Sequence, residues 1–524
     1  MKLRTIVKIA ITSSVVLLCS GFALYSFFRL SAAEGQKDFN LYELVPSTTS
    51  AVFVTDDVLE FVAEVDELTC SKNQQYLYVS KLFSYLKQSL YVLSEDTPHG
   101  LSRQMNQMLI SFHEPDNERN QVLYCRLGNG DKELVNRFVR KYISSLYPPK
   151  TFIYKGEEII IYPMADGDFL ACYLTSDFMA LSFQKKLIEN VIDAYKSGKS
   201  LADDSTFTGI RAPKKSAAAA TIYTRMQGMM GWTEFDMKMK DDFIYFSGIT
   251  HDADTCFAFI NQLRQQQSVK GFPGEVLPST AFYFSRQGIT DWVSLLSYGN
   301  AQGQSVPART SEVQNRDKEF SRYLMENAGQ DLVACLFQRE DTLQDAAAVL
   351  SLSVADVTEA ERMLRALVNA APADEGRRNP RITFCYTVNK AYPIYRLPQT
   401  TLFEQLTSFA EPTLDVYAAF YGGRLLLAPD ADALAHYIRQ LDKGEVLNGA
   451  MAYQTGMDHL SDSYHFMLMA DFDHIFQQSE NHVRFVPDFF LRNADFFRHF
   501  TFFVQFACAD GVVYPNIVLK YKSE

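Results

Sequence analysis

The 524-residue sequence contains no Cys-x-x-Cys pair, no His-Glu-x-x-His, no Gly-x-Ser-x-Gly and only two tryptophans. Without the first two, the short ligand pairs of zinc sites are missing. Without the third, the strained strand-to-helix turn of serine hydrolases is missing. A nucleophile assembled from distant residues stays open, because triads are defined by geometry and not by chain order. Clustered lysine and arginine are also lacking. The net charge is −12, and since the first 29 residues hold four cations and no acid, the rest of the chain carries −16. Binding phosphate requires grouped cations, so no nucleic acid partner is expected.

Apolar residues make up 47% and charged residues 21%, a balance that supports large folded cores and not disorder. Eight cysteines are present. Cys19 sits in an apolar N-terminal run, which leaves an odd seven: Cys70, Cys125, Cys172, Cys256, Cys335, Cys385 and Cys508. Five of these lie in strand-like apolar runs, where cysteine behaves as a small hydrophobe, and buried thiols are expected ahead of a disulfide framework.

Three segments imitate chemical motifs. Gly128-Asn-Gly130 stands between a strand and a helix, but Glu133 occupies the place of the third small residue of a dinucleotide loop. Gly198-Lys199-Ser200 resembles the end of a phosphate loop, yet it closes a helix, where glycine is a cap. His459, His465, His474, His482 and His499 gather late in the chain near Asp471 and Asp473, without the short His pairs zinc favours. The expectation is therefore no catalytic, cofactor-binding or metal residue, and no cofactor.

Residues Ile9 to Phe28 form a run of twenty without a charge, preceded by Lys2, Arg4 and Lys8. As a helix it is long enough to cross ~30 Å of hydrocarbon, and the flanking cations keep the N-terminus in the cytoplasm. A cleaved signal peptide is the alternative, with Ser31-Ala32-Ala33 as its site. Leu17-Leu18 ahead of Cys19 argue against a lipoprotein. Either way the body is exported.

Self-comparison shows four segments that recur in order. Leu44–Val54 returns at Val276–Phe284, and Val122–Leu127 at Val349–Val354. Residues 170–201 align without a gap to 416–447, each reading strand, turn, strand, helix and a glycine stop at Gly198 or Gly444. Ala217–Met226 matches Tyr464–Asp471, and each half closes on a late strand, Asp242–Gly248 or Gly511–Tyr521. The helix stripe Ile188, Val191, Ile192, Tyr195 parallels Leu434, Tyr437, Ile438, Leu441. Within the second half, residues 301–317 and 371–380 read as loops. The fold class expected is α+β: a transmembrane helix, then two tandem homologous modules of mainly antiparallel sheet with helices on one face. The expected division is a cytoplasmic tail over 1–8, the anchor over 9–28, a linker over 29–42, module one over 43–265, a linker over 266–275 and module two over 276–524.

The basic start, single span, Pro46-to-Ala51 strand entry and repeated strand–hairpin–helix body together resemble a family of uncharacterised single-span envelope proteins of Gram-negative bacteria. The resemblance implies an inner-membrane protein that faces the periplasm and supplies no active-site residue. The expected role is non-catalytic binding or scaffolding of an envelope protein partner, with the lipid bilayer engaged through residues 9–28. A carrier or sensor of an apolar ligand is the alternative, motivated by the phenylalanines from Phe485 to Phe506; a hydrolase with a dispersed site is the third reading.

Overall fold

The computed structural model describes residues 39–522 apart from 74–104, 114–118, 129–130, 140–146, 165–166, 211–217, 226–230, 252–257, 294, 296–310, 340–345, 371–379, 389, 408–414, 479–485 and 487. The first half carries β1 (Ala51–Thr55), β2 (Met108–Phe112), β3 (Gln121–Arg126), β4 (Lys150–Tyr154), β5 (Glu157–Pro163), β6 (Phe169–Leu174), β7 (Phe178–Ser182), β8 (Ala220–Thr224), β9 (Trp232–Lys240) and β10 (Phe243–His251). The second carries β11 (Ala281–Gly288), β12 (Ala328–Gln338), β13 (Ala346–Val354), β14 (Ile382–Tyr386), β15 (Ala391–Pro398), β16 (Asp415–Tyr421), β17 (Arg424–Ala428), β18 (Phe466–Asp471), β19 (Phe500–Ala509) and β20 (Val512–Tyr521).

In space the first half runs β4-β5-β6-β7-β3-β2-β1-β8-β9-β10. The second runs β14-β15-β16-β17-β13-β12-β11-β18-β19-β20, the same order strand for strand. Every strand pairing among the described residues is antiparallel. The last strands, β10 and β20, pair with each other and merge both halves into one 20-stranded sheet. This corrects the expected α+β class of two tandem modules: one large antiparallel sheet dominates, and its helices are few. The reason lies in the closing strand of each half. Among the described residues its outer N–H and C=O groups pair with no strand of their own half, and each row satisfies the other.

Helices occupy both faces and not one, a second correction. α1 (Val58–Glu67), α3 (Ser311–Asn327) and α4 (Val357–Ala370) bury Phe61, Phe320 and Leu364 in a cluster that is continuous across both halves. α2 (Lys185–Ser197) and α5 (Ala431–Asp442) lie over two separate clusters, through Ile188 and Val191 in the first half and Leu434 and Ile438 in the second. Alternation along the strands feeds both sides. Ile110 and Leu123 enter the shared cluster while Leu109, Val122 and Tyr124 enter that of α2. Strands apolar at both parities cannot leave either face wet. The hairpin between β16 and β17 turns on Gly422 (φ 56°) and Gly423 (φ 80°), the left-handed pair a tight primed turn requires.

Residues 301–317 are not all loop. α3 begins at Ser311, and Val313, Asp317, Phe320 and Leu324 bury one helical stripe. The stretch 266–275 between the halves is tied down: Val269–Lys270 pairs with Ser463–Tyr464, and Gln266 Oε1 accepts from Thr290 N at 2.8 Å. Among the described residues no helix is long and apolar enough to cross a membrane, so the expected transmembrane helix gains no support from the structure; Ile9 to Phe28 lie outside the described residues.

Ile188 and Leu434 are both fully buried at matching places in α2 and α5. Truncating either to alanine is expected to lower stability by about 3 kcal/mol. Urea unfolding of Ile188→Ala and Leu434→Ala checks this, and the two midpoints should fall by comparable amounts.

Candidate functional site

The outermost strands are β4 and β14, which occupy the same place in their halves. Among the described residues β4 pairs only with β5, and β14 only with β15. Each therefore presents an open row of backbone donors and acceptors, to which an extended chain can add as a further strand. Both edges also expose large apolar side chains. Ile153 is 71% exposed and Phe152 42%; on the other edge Phe384 is 54% and Tyr386 72%. Pro148-Pro149 precede β4, and proline is one of the ways an edge is shortened. The inner sides of these strands are anchored. Tyr154 Oη donates to Asp193 of α2 at 3.1 Å, and Cys385 lies buried 3.6 Å from the Ala435 carbonyl of α5. Anchored strands with an apolar outer side that pairs with no strand among the described residues suit recognition by main-chain pairing.

Three polar clusters lie elsewhere. In the first half Ser111 Oγ stands 2.9 Å from His113 Nε2 and 3.1 Å from Tyr124 Oη. Serine beside histidine is the start of a nucleophile and base pair, but Ser111 has no exposed surface. Burial lowers the His113 pKa to about 4 and raises that of Tyr124, so all three are neutral at pH 7. The trio is a polar tie within the core.

In the second half Asp331 is held by two arginines. Arg286 Nε donates to its Oδ2 at 3.0 Å, and Arg424 donates to both carboxylate oxygens at 3.3 Å. Ser351 Oγ accepts from Arg424 Nε at 2.6 Å, and the Gly271 carbonyl accepts from Arg286 at 3.0 Å. Burial alone would raise the Asp331 carboxyl, but the guanidinium of Arg424, with Ser353 and Arg286, holds it below the usual range. By strand register the first half has Val54, Gln107 and Phe178 at the places of Arg286, Asp331 and Arg424. This cluster thus belongs to one half alone.

The third cluster centres on Asp471, which caps the helix Phe472–Phe476. Lys522 Nζ lies 2.7 Å and His474 Nδ1 3.2 Å from its carboxylate. Burial would raise Asp471, and His474 and Lys522 outweigh it and lower it. Asp471 in turn raises His474.

The late histidines do not converge. His459 packs on Phe243 with ring centres 4.3 Å apart, and His465 Nδ1 accepts from Cys508 N at 3.2 Å. The His499 carbonyl accepts from Lys522 N, and His482 lies outside the described residues. Among the described residues no group of three His, Cys, Asp or Glu side chains could hold a metal ion. Gly198 caps α2 with φ 63°, and Gly128 N donates to Asp131 Oδ2 at 2.6 Å as a helix opens; Asn129 and Gly130 lie outside the described residues. Cys70, Cys125, Cys172, Cys335 and Cys385 are buried free thiols and Cys508 is a half-buried one. Of the late phenylalanines, Phe490, Phe497 and Phe502 gather around Phe472 with ring centres 5.0–5.8 Å away and pack in or against the shared cluster.

Neither the edge residues nor the Asp331 cluster stands out in the sequence. The available signals were two prolines ahead of a short aromatic strand, and charges placed beside apolar strand runs. No family model, curated protein or solved structure matches this chain.

Asp331→Asn leaves two arginines facing a neutral amide and should cost about 3 kcal/mol, read from the urea midpoint. His113 should titrate near pH 4 by NMR. Because the unfolded histidine takes its proton near 6.5 and the native one only near 4, this group stabilises the fold above 6.5, and that contribution of about 3 kcal/mol is lost as pH falls to 4. His113→Phe, which installs the residue type of Phe337 at the matching place, should flatten that slope.

Proposed function

We propose that this is a non-catalytic protein that works outside the cytoplasm and binds or scaffolds an envelope partner by pairing an extended segment of it to the outer edges of its sheet. The observation that carries this reading is the pair of apolar strand edges at β4 and β14, open on the same side of matching units. Main-chain pairing supplies affinity at such an edge, and alternate side chains supply selectivity. The basic, then uncharged, start of the chain supports export of the body. The three polar clusters support a static framework, since each consists of groups engaged with one another.

The test is a pull-down from mildly solubilised membranes with the full chain as bait, alongside Ile153→Lys and Phe384→Lys. A lysine on an edge opposes strand addition. A stoichiometric partner recovered by the parent chain and lost from one of the variants, with unchanged urea midpoints, is the expected result. Recovery of the chain alone, or equal recovery by both variants, removes the reading. A reporter fused after Glu524 tests placement, and activity confined to the cytoplasm would overturn it.

A further inference from the structure

The seam between the halves is built as contacts between identical subunits are built. β10 and β20 are matching strands, each following a hairpin turn on a left-handed aspartate, Asp241 or Asp510 (φ 51° in both). In the seam Phe243 lies opposite Lys520, Tyr245 opposite Val518, Ser247 opposite Asn516 and Thr250 opposite Val513. Ser247 and Asn516 are each the fifth residue of their strand. Phe243 lies as far before Ser247 as Lys520 lies beyond Asn516. Matching residues that face one another define a two-fold contact, with the axis between them. Ser247 Oγ donates to Asn516 Oδ1 at 2.8 Å, on that axis.

The surroundings of the seam agree. Ile244 of β10 and Leu519 and Tyr521 of β20 belong to the single cluster shared by both halves. Contacts cross in both directions: Asn73 Nδ2 donates to Tyr521 Oη at 3.4 Å, and Phe243 of the first half packs on His459 of the second. The strand sequence also fits its own copy. Turned about Ser247, β10 would set Tyr245 opposite Ile249 and Ile244 opposite Thr250, aromatic and β-branched pairs that stabilise a ladder, with no like charges opposed within Phe243–His251.

We infer that the last strand of the ten-strand unit is a self-recognition surface, and that this chain is the covalent form of a two-fold dimer of that unit. The partner this surface fits is a second copy of the same unit; inside the chain, the other half occupies it.

The experiment starts from the full-length protein with a specific protease site inserted after the exposed Ser268. After cleavage the two fragments should stay in one particle, read by native mass spectrometry. Unfolded in denaturant and refolded with an excess of isotope-labelled first fragment, they should yield first–first dimers beside first–second ones. With Ser247→Cys in the labelled fragment, those homodimers should oxidise to a cross-linked species, because opposed residues of an antiparallel ladder lie roughly 4.5–5.5 Å apart, within disulfide reach. Fragments that part on cleavage, or a folded first fragment that pairs only with the second, overturn the inference. Should the fragment alone not regain its circular dichroism, the full chain decides. Residues 512–520 are replaced by the sequence of 243–251, and cysteine is placed at Ser247 and at the grafted serine. Quantitative intrachain cross-linking upholds self-complementarity, and its loss refutes it.

Discussion

The architecture depends on what happens to the outer rows of N–H and C=O groups along β10 and β20. A strand buried among apolar neighbours cannot leave those groups unpaired without a cost comparable to losing several hydrogen bonds. Each ten-strand half ends in such a strand, and the two close on each other. That pairing makes one sheet of two halves, sets Ser247 against Asn516 and lets a single apolar cluster run through both. The remaining open edges are then pushed to the far ends, at β4 and β14.

Within this frame the two halves differ where polarity is concerned. Matching strand positions hold Val54 and Arg286, Gln107 and Asp331, Phe178 and Arg424. In the first half Phe178 belongs to an aromatic group with Phe39, Tyr173 and Tyr195, 4.7–5.5 Å apart. In the second half a carboxylate between two guanidinium groups takes that place. Replacing apolar packing with a buried ion group seldom adds net stability, since desolvation offsets the Coulomb attraction. What it adds is intolerance of any change that leaves one member unpaired.

Local structure was legible where the signals were local. The strand, turn, strand and helix over 170–201 and over 416–447 can be read from alternation, Gly422-Gly423 and the helix stripes, and the structure has β6, β7 and α2, then β16, β17 and α5, over those segments. Gly198 read as a helix cap because it ends a stripe, and it has φ 63°. Long-range features were not legible. Nothing in the composition of β10 or β20 says that its free side seeks the other, so the sequence leaves open whether the two modules share a sheet. Coverage of one face was expected because alternation was read and the two-sided apolar runs in β3 and β12 were not. The helix from Ser311 was missed because its polar exposed face, rich in Glu, Arg and Lys, hides a narrow buried stripe. The edge residues were missed because exposure is a property of the assembled sheet: Ile153 and Phe384 look like core in sequence and stand uncovered only because no further strand follows.

The repeated strand order also dictates how the two free rims are disposed. Nineteen steps of strand spacing separate β4 from β14, roughly 90 Å along the contour of the sheet. Because the halves are related by a rotation and not by a translation, the rims run in opposite senses. On the proposed reading, a short extended segment engages one rim at a time, whereas a paired or repetitive ligand supplies a segment to each. Occupancy of the second rim would then rise with the local concentration created at the first, which would favour multimeric partners for the proposed edge pairing.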